Sequence, residues 1–179
     1  FVDDAGSELN IYNNIFTGFN QGLNIENGIS NIRYNNIWGN NGSDFIGEGI
    51  PPFFGSPVAE NFNGNPSDLY GNIFMDPQFV LADSSNYNLQ IISNCINAGH
   101  PDLDNDGINW QGDIDDQDPD GTPMDIGAFY RDIADTSDVF GCIDEIACNY
   151  NEQANQNNGS CTYPSTWYWD EDGDGMGVP

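Results

Sequence analysis

A pentapeptide recurs through the first half of the chain. Tyr12-Asn13-Asn14-Ile15-Phe16 returns as Tyr34-Asn35-Asn36-Ile37-Trp38 and again as Tyr70-Gly71-Asn72-Ile73-Phe74. The first step, 12 to 34, is 22 positions; the second, 34 to 70, is 36, one further period plus a 14-residue insertion. A unit this short cannot bury its own apolar face and must stack on its neighbours. Short alternating runs between Asn/Gly turns predict about three short strands per repeat, with equivalent positions side by side in parallel strands. Ile15, Ile37 and Ile73 are then expected to form an inward-pointing aliphatic row, spaced by about 4.8 Å per repeat. Asn14, Asn36 and Asn72 are expected to form an amide ladder at a bend, with Phe16, Trp38 and Phe74 stacked beside it. Asparagine is the most frequent residue and glycine occurs 21 times, which disfavours long helices and demands frequent tight turns. A leucine-rich repeat has a similar period, but its leucine frame is absent.

The "Asn-x-Ile/Phe" pattern of these repeats resembles the parallel β-helix repeat proteins of secreted bacterial origin, the pectate-lyase-like superfamily, over residues 7–80. That resemblance implies an all-β fold, the C-terminal coils of a right-handed parallel β-helix, over residues 1–80. The insertion, residues 48–66, carries Pro51, Pro52, Phe53, Phe54, Pro57 and Phe62; it reads either as a sugar-stacking loop or as a lid whose rings pack on the flank. The same solenoid serves lyases, glycosidases and adhesins, so fold alone assigns no activity.

From Asp76-Pro77-Gln78-Phe79-Val80 onward the string "DPQFV…YNLQIISNCINAG…DQDPDGTPMDIGAFY" resembles the closing segment of such proteins, here residues 81–131. Asn94 stands where that pattern has Pro, and Asn97 where it has Asp. Its expected role is to cover strand edges that would otherwise pair with other chains. Residues 132–164 contain "GCIDEIACNYNEQANQNNGSCTYP", similar to a small cysteine module of marine Bacteroidetes. Residues 165–179 contain "WYWDEDGDGMG", similar to an Asp-rich calcium-type repeat that the sequence cuts short. The predicted architecture is thus a β-helix end followed by small irregular modules stabilised by disulfide and calcium.

Arg33 and Arg131 are the only strong bases, there is no lysine, and the net charge is −27. Nucleic acid and anionic lipid need cationic side chains and are excluded as partners on this ground. Divalent cations are the natural counter-charge, with halophilic or marine adaptation as the alternative. No apolar run approaches the roughly 18 residues of a transmembrane helix, and any signal peptide is expected upstream of Phe1.

Asp102, Asp104, Asp106 and Gly107 have the D-x-D-x-D-G form in which alternate carboxylates wrap Ca²⁺, and the twelfth position falls on the carboxylate Asp113. Simple Asx turns are the competing reading. Asp116, Asp118, Asp120 and Gly121 repeat the form with Gly127 at the twelfth position, which favours a turn. Asp170, Asp172 and Asp174 begin a third run whose twelfth position lies beyond Pro179. Four cysteines without C-x-x-C spacing point to an oxidising compartment rather than a zinc site. The resemblance of the cysteine module implies a Cys142–Cys161 bridge, with Cys148 either free and buried or paired elsewhere. Closing a loop of about 20 residues would contribute about 3 kcal/mol.

Catalysis finds few candidates. Arg33 is expected on the outer surface and His100, before Pro101, in a structural turn. Paired carboxylates are too abundant here to single out a glycosidase site. The function expected is that of a structural or binding end of a secreted or cell-surface protein, calcium-bound and contacting polysaccharide or cell-surface glycan. The alternative is the tail of a polysaccharide lyase or glycosidase whose catalytic coils lie upstream.

Overall fold

Where strands are short and turns dense, the backbone's hydrogen bonds must go to distant neighbours rather than into helices. The computed structural model describes residues 2–3, 9–27, 30–82, 85–132, 137, 139–157 and 159–164, and is all-β with almost no helix. It divides into two compact units, residues 1–134 and 135–179. Among the described residues, no helix is long and apolar enough to cross a membrane.

In the first unit the strands are β1 (Val2–Asp3), β2 (Leu9–Tyr12), β3 (Ile15–Thr17), β4 (Gln21–Asn27), β5 (Ser30–Arg33), β6 (Asn36–Trp38) and β7 (Ser43–Ile46). They form parallel ladders: β2 on β5, β3 on β6, and β1, β4 and β7 in sequence. Successive repeats therefore do lie side by side. Their register differs from the one the pentapeptides suggest. Ile15 pairs with Asn36 and Phe16 with Ile37, an offset of 21, and Asn36 in turn pairs with Ile73. The middle copy is slipped by one residue, and in a strand a one-residue slip moves every side chain to the other face.

The expected row of Ile15, Ile37 and Ile73 is therefore not formed. Ile37 belongs to one core with Leu23, Ile25, Ile32 and Phe54, flanked by Phe16 and Phe74. Ile73 belongs to a second core with Leu89, Cys95, Ile96, Ala98 and Ile126, flanked by Ile15. Asn36 sits in the Ile15/Ile73 register, fully buried, and its amide donates to Met75 O at 2.8 Å and reaches Cys95 Sγ at 3.1 Å. Trp38 pairs with Thr17 and is exposed, so the expected Phe16/Trp38/Phe74 stack is absent too.

The amide ladder exists with Asn35 as its middle member. Asn35 Oδ1 accepts from Asn14 N–H at 3.0 Å, and Asn72 Oδ1 accepts from Asn35 N–H at 3.0 Å and Asn35 Nδ2 at 3.1 Å. Asn35 Nδ2 also donates to Ile11 O and Arg33 O, both at 2.8 Å. Just before each rung the backbone turns left-handed: φ is 58° at Asn13, 52° at Tyr34 and 76° at Gly71. Tyr34 N–H donates to Tyr70 O at 3.2 Å, and a Cβ on Gly71 would meet the Tyr34 ring at 2.7 Å.

The insertion contains a short antiparallel pair, β8 (Ala59–Glu60) and β9 (Pro66–Ser67). Phe54 packs into the first core against Phe45 at 5.1 Å between ring centroids, while Phe53 and Phe62 are exposed. Next comes the antiparallel pair β10 (Phe79–Leu81) and β11 (Asn86–Leu89), then a chain of turns to Gly127. Ile126 N–H donates to Cys95 O at 2.9 Å, and residues 79–126 supply most of the second core. This segment packs over the sheet face opposite the first core.

Among its described residues the second unit pairs β12 (Phe140–Gly141) in parallel with β13 (Gln156–Asn157). Cys142 and Cys161 form the disulfide, with 4.8 Å between Cα atoms. Cys148 is free and exposed, neither buried nor paired elsewhere as the module likeness implied, and Cys95 is free and buried.

Candidate metal centre

The Asp-rich segment is positioned by its own turns. Asp106 N–H donates to Asp104 Oδ1 at 3.1 Å, Ile108 N–H to Asp106 Oδ1 at 2.7 Å, and Gly107 N–H to Asp102 Oδ2 at 3.1 Å. Asn105 (φ 60°) and Gly107 (φ 88°) supply the left-handed bends that curl the loop, the conformation Asn and Gly tolerate best. A 3-10 turn follows at Ile114–Asp116, capped by Asp113, whose Oδ1 accepts from Asp115 N–H at 3.0 Å. That turn carries Asp116 back under the loop, where its Oδ1 accepts from Leu103 N–H.

One ligand oxygen from each of Asp102, Asp104 and Asp116 lies within 4.8 Å of the others, and the same is true of Asp104, Asp106 and Asp113. The structure thus gathers the four residues of the first run in two overlapping groups and adds Asp116, which the sequence pattern assigned to the second run. Spacing could not reveal this, because Asp116 arrives by a fold-back and not by position in a loop.

Asp116 has no exposed surface, and its Oδ2 and Asp102 Oδ1 are buried atoms without a hydrogen-bond partner. Burial raises the Asp116 pKa above its ordinary value; the Leu103 N–H opposes the rise, and the charges of Asp102, Asp113 and Asp104 add to it. Asp68 is a useful contrast, being equally buried but fully served: Tyr70 N–H (2.8 Å) and Asn72 N–H (3.0 Å) donate to its Oδ1 and Gly55 N–H (3.1 Å) to its Oδ2. A buried carboxylate oxygen without a donor is costly unless a cation meets it. All-oxygen, multiply anionic donors fit a hard cation such as Ca²⁺ rather than a thiolate- or imidazole-seeking metal.

The rest of the second run forms a turn. Asp118 N–H donates to Thr122 O at 2.9 Å, Thr122 Oγ1 to Asp120 Oδ1 at 2.6 Å, and Asp125 N–H to Asp118 Oδ2 at 2.8 Å. Among the described residues Asp118 and Asp120 join no group of three acids able to hold a metal. Asp125 is instead a staple: its carboxylate accepts from Asn97 N–H at 2.7 Å and Arg131 N–H at 2.6 Å. Burial, reinforced by the charges of Asp118 and Asp120 against those two donors, pushes its pKa up to about 7. Asp170, Asp172 and Asp174 lie outside the described residues.

Of the basic groups considered for proton transfer, His100 is buried between the rings of Tyr12 and Tyr34, each 4.6 Å away between centroids. Its Nδ1 accepts from Asp102 N–H at 3.2 Å, and burial lowers its pKa. The Arg33 guanidinium lies over the Tyr70 ring, 5.7 Å from its centroid. Both are engaged in packing. Sequence reading gave no sign that His100 joins two repeats to the closing segment.

Compared with family models, with curated proteins and with solved structures, the chain matches none.

Proposed function

We propose that this chain is the C-terminal portion of a secreted or cell-surface protein, built as the last coils of a right-handed parallel β-helix and a calcium-stabilised segment that closes them. The parallel ladders at offsets of 21 and 22 residues support the solenoid. The disulfide supports an oxidising compartment. Its role is structural and binding, and the exposed rings of Phe53 and Phe62 offer the faces on which a glycan would stack. The observation that carries the calcium reading is the pair of buried, partnerless carboxylate oxygens on Asp102 and Asp116, held beside Asp104. Thermal unfolding in millimolar Ca²⁺, in chelator, and in Mg²⁺ at matched ionic strength tests it. Calcium should raise the midpoint and magnesium should do so far less. Equal midpoints in the three conditions would reduce the acidic segment to a solubility feature.

A further inference from the structure

We propose that the cation is held across the two Asp runs, by Asp102, Asp104 and Asp116, and not along the twelve-residue loop that runs from Asp102 to Asp113. This rests on the calcium reading above and gives it a specific ligand set. The loop reading needs a chelating carboxylate at its twelfth position. A bidentate grip is closed to Asp113, because one of its oxygens caps the 3-10 turn by accepting from Asp115 N–H. Asp116 has what Asp113 lacks. It is completely buried, one oxygen is fixed by Leu103 N–H and the other is unpartnered, and the carboxylate brings an oxygen within 4.8 Å of ligand oxygens of Asp102 and Asp104.

Each carboxylate of the trio is steadied by a backbone N–H on one oxygen, leaving the second open to an ion: Leu103 on Asp116, Gly107 on Asp102 and Asp106 on Asp104. Such a site is pre-oriented, so little ordering is required when the ion arrives. Asp106 and Asp113, grouped with Asp104 on the exposed side, supply further negative charge that favours a divalent ion. The bound ion would add a second tie between the curled loop and the 3-10 turn, beside the bond from Leu103 N–H to Asp116.

The test is calcium binding by titration calorimetry, together with the calcium-dependent shift of the unfolding midpoint, on the whole chain and on Asp116→Asn, Asp102→Asn and Asp113→Asn. Asparagine keeps an acceptor for the Leu103, Gly107 or Asp115 N–H in each case. Asp116→Asn and Asp102→Asn should weaken calcium binding by at least 30-fold and abolish the midpoint shift, whereas Asp113→Asn should weaken it by less than 5-fold. In chelator, Asp116→Asn should unfold at a higher midpoint than the parent, since a buried charge is gone. If Asp116→Asn does not fold, Asp102→Asn against Asp113→Asn, together with the footprint of Ca²⁺ on the Leu103 amide in hydrogen exchange, still decides. Loss of binding in Asp113→Asn with retention in Asp116→Asn would overturn the cross-run site and leave the calcium reading intact. No calcium response in the parent chain would overturn both.

Discussion

Among the described residues of the first unit two aspartates have no exposed surface, and they differ in how their oxygens are served. Asp68, beside the stacked repeats, receives backbone N–H groups on both oxygens, and Asn72 Nδ2 as well at 3.1 Å. Asp116, in the closing segment, receives one donor and leaves an oxygen bare. The repeats are rich in asparagine, whose amide both donates and accepts, so rungs such as Asn14, Asn35 and Asn72 satisfy one another down the stack. The closing segment makes the same kind of turn with aspartate, which when ionised only accepts. The Asn14–Asn35–Asn72 ladder is completed by its own fold; the Asp116 carboxylate needs a proton or a cation from outside.

The sharpest way to break that comparison is to make the same substitution at both sites. Asp68→Asn exchanges an acceptor oxygen for an amide that faces the Gly55 N–H, and should cost about 3 kcal/mol in urea unfolding. Asp116→Asn in chelator should carry the opposite sign. If both variants were destabilised alike, buried aspartate would be equally finished in the two regions and the distinction would fail.

The next largest effect concerns register. Gly71→Ala forces a side chain into a left-handed position and against the Tyr34 ring, for a cost of about 2 kcal/mol. If Tyr34 lay opposite Tyr70, as the pentapeptides suggest, only the backbone strain of roughly 1 kcal/mol would remain. The all-β class, the stacking of repeats and the Cys142–Cys161 bridge were legible because they follow from turn density, periodicity and module likeness. The slip was not. Two adjacent asparagines in the first two copies allow Asn14 to align with Asn35 or Asn36 equally well, and the choice is made by where the chain turns left-handed and by which face the closing segment covers. For the same reason Asp104, Asp106 and Asp113 could be grouped from spacing, while Asp116 could not.

Calcium should sharpen the comparison residue by residue. At millimolar Ca²⁺ and a dissociation constant on the order of 10⁻⁴ M, folded-state binding contributes about 1 to 2 kcal/mol. Hydrogen exchange should show roughly a tenfold slowing at the Leu103 and Gly107 amides, which donate to the ligand carboxylates. The Asn14 and Asn35 amides, already held in their ladder, should change far less at the same calcium concentration. Uniform slowing across repeats and closing segment would mean that calcium stabilises the unit globally, and the local distinction would lose its support.

The smallest effect is the most specific in sign, and it comes from Asp125. A carboxyl whose folded pKa is raised binds its proton more tightly folded than unfolded, so its stabilisation is complete at low pH and is lost as pH rises through the folded value. For Asp125 that loss runs from the ordinary value of 3.8 up to about 7, where it is nearly complete. In chelator the first unit should therefore become more stable as pH falls from 8 to 6.5, by about 1 kcal/mol, since the folded carboxyl takes up its proton there and the unfolded one does not. Burial raises the Asp116 and Asp118 carboxyls in the same direction. Below 6.5 the slope should flatten, because His100 has a lowered pKa and its stabilisation, present above its ordinary value, is lost as pH falls. Asp125→Asn should remove most of the slope between pH 8 and 6.5, whereas Asn35→Gln, in the neutral ladder, should shift the whole curve without tilting it. A slope that survived in Asp125→Asn would place the titrating group outside the Asn97–Asp125–Arg131 staple, and the division between amide-built and carboxylate-built regions would have to be redrawn around that group.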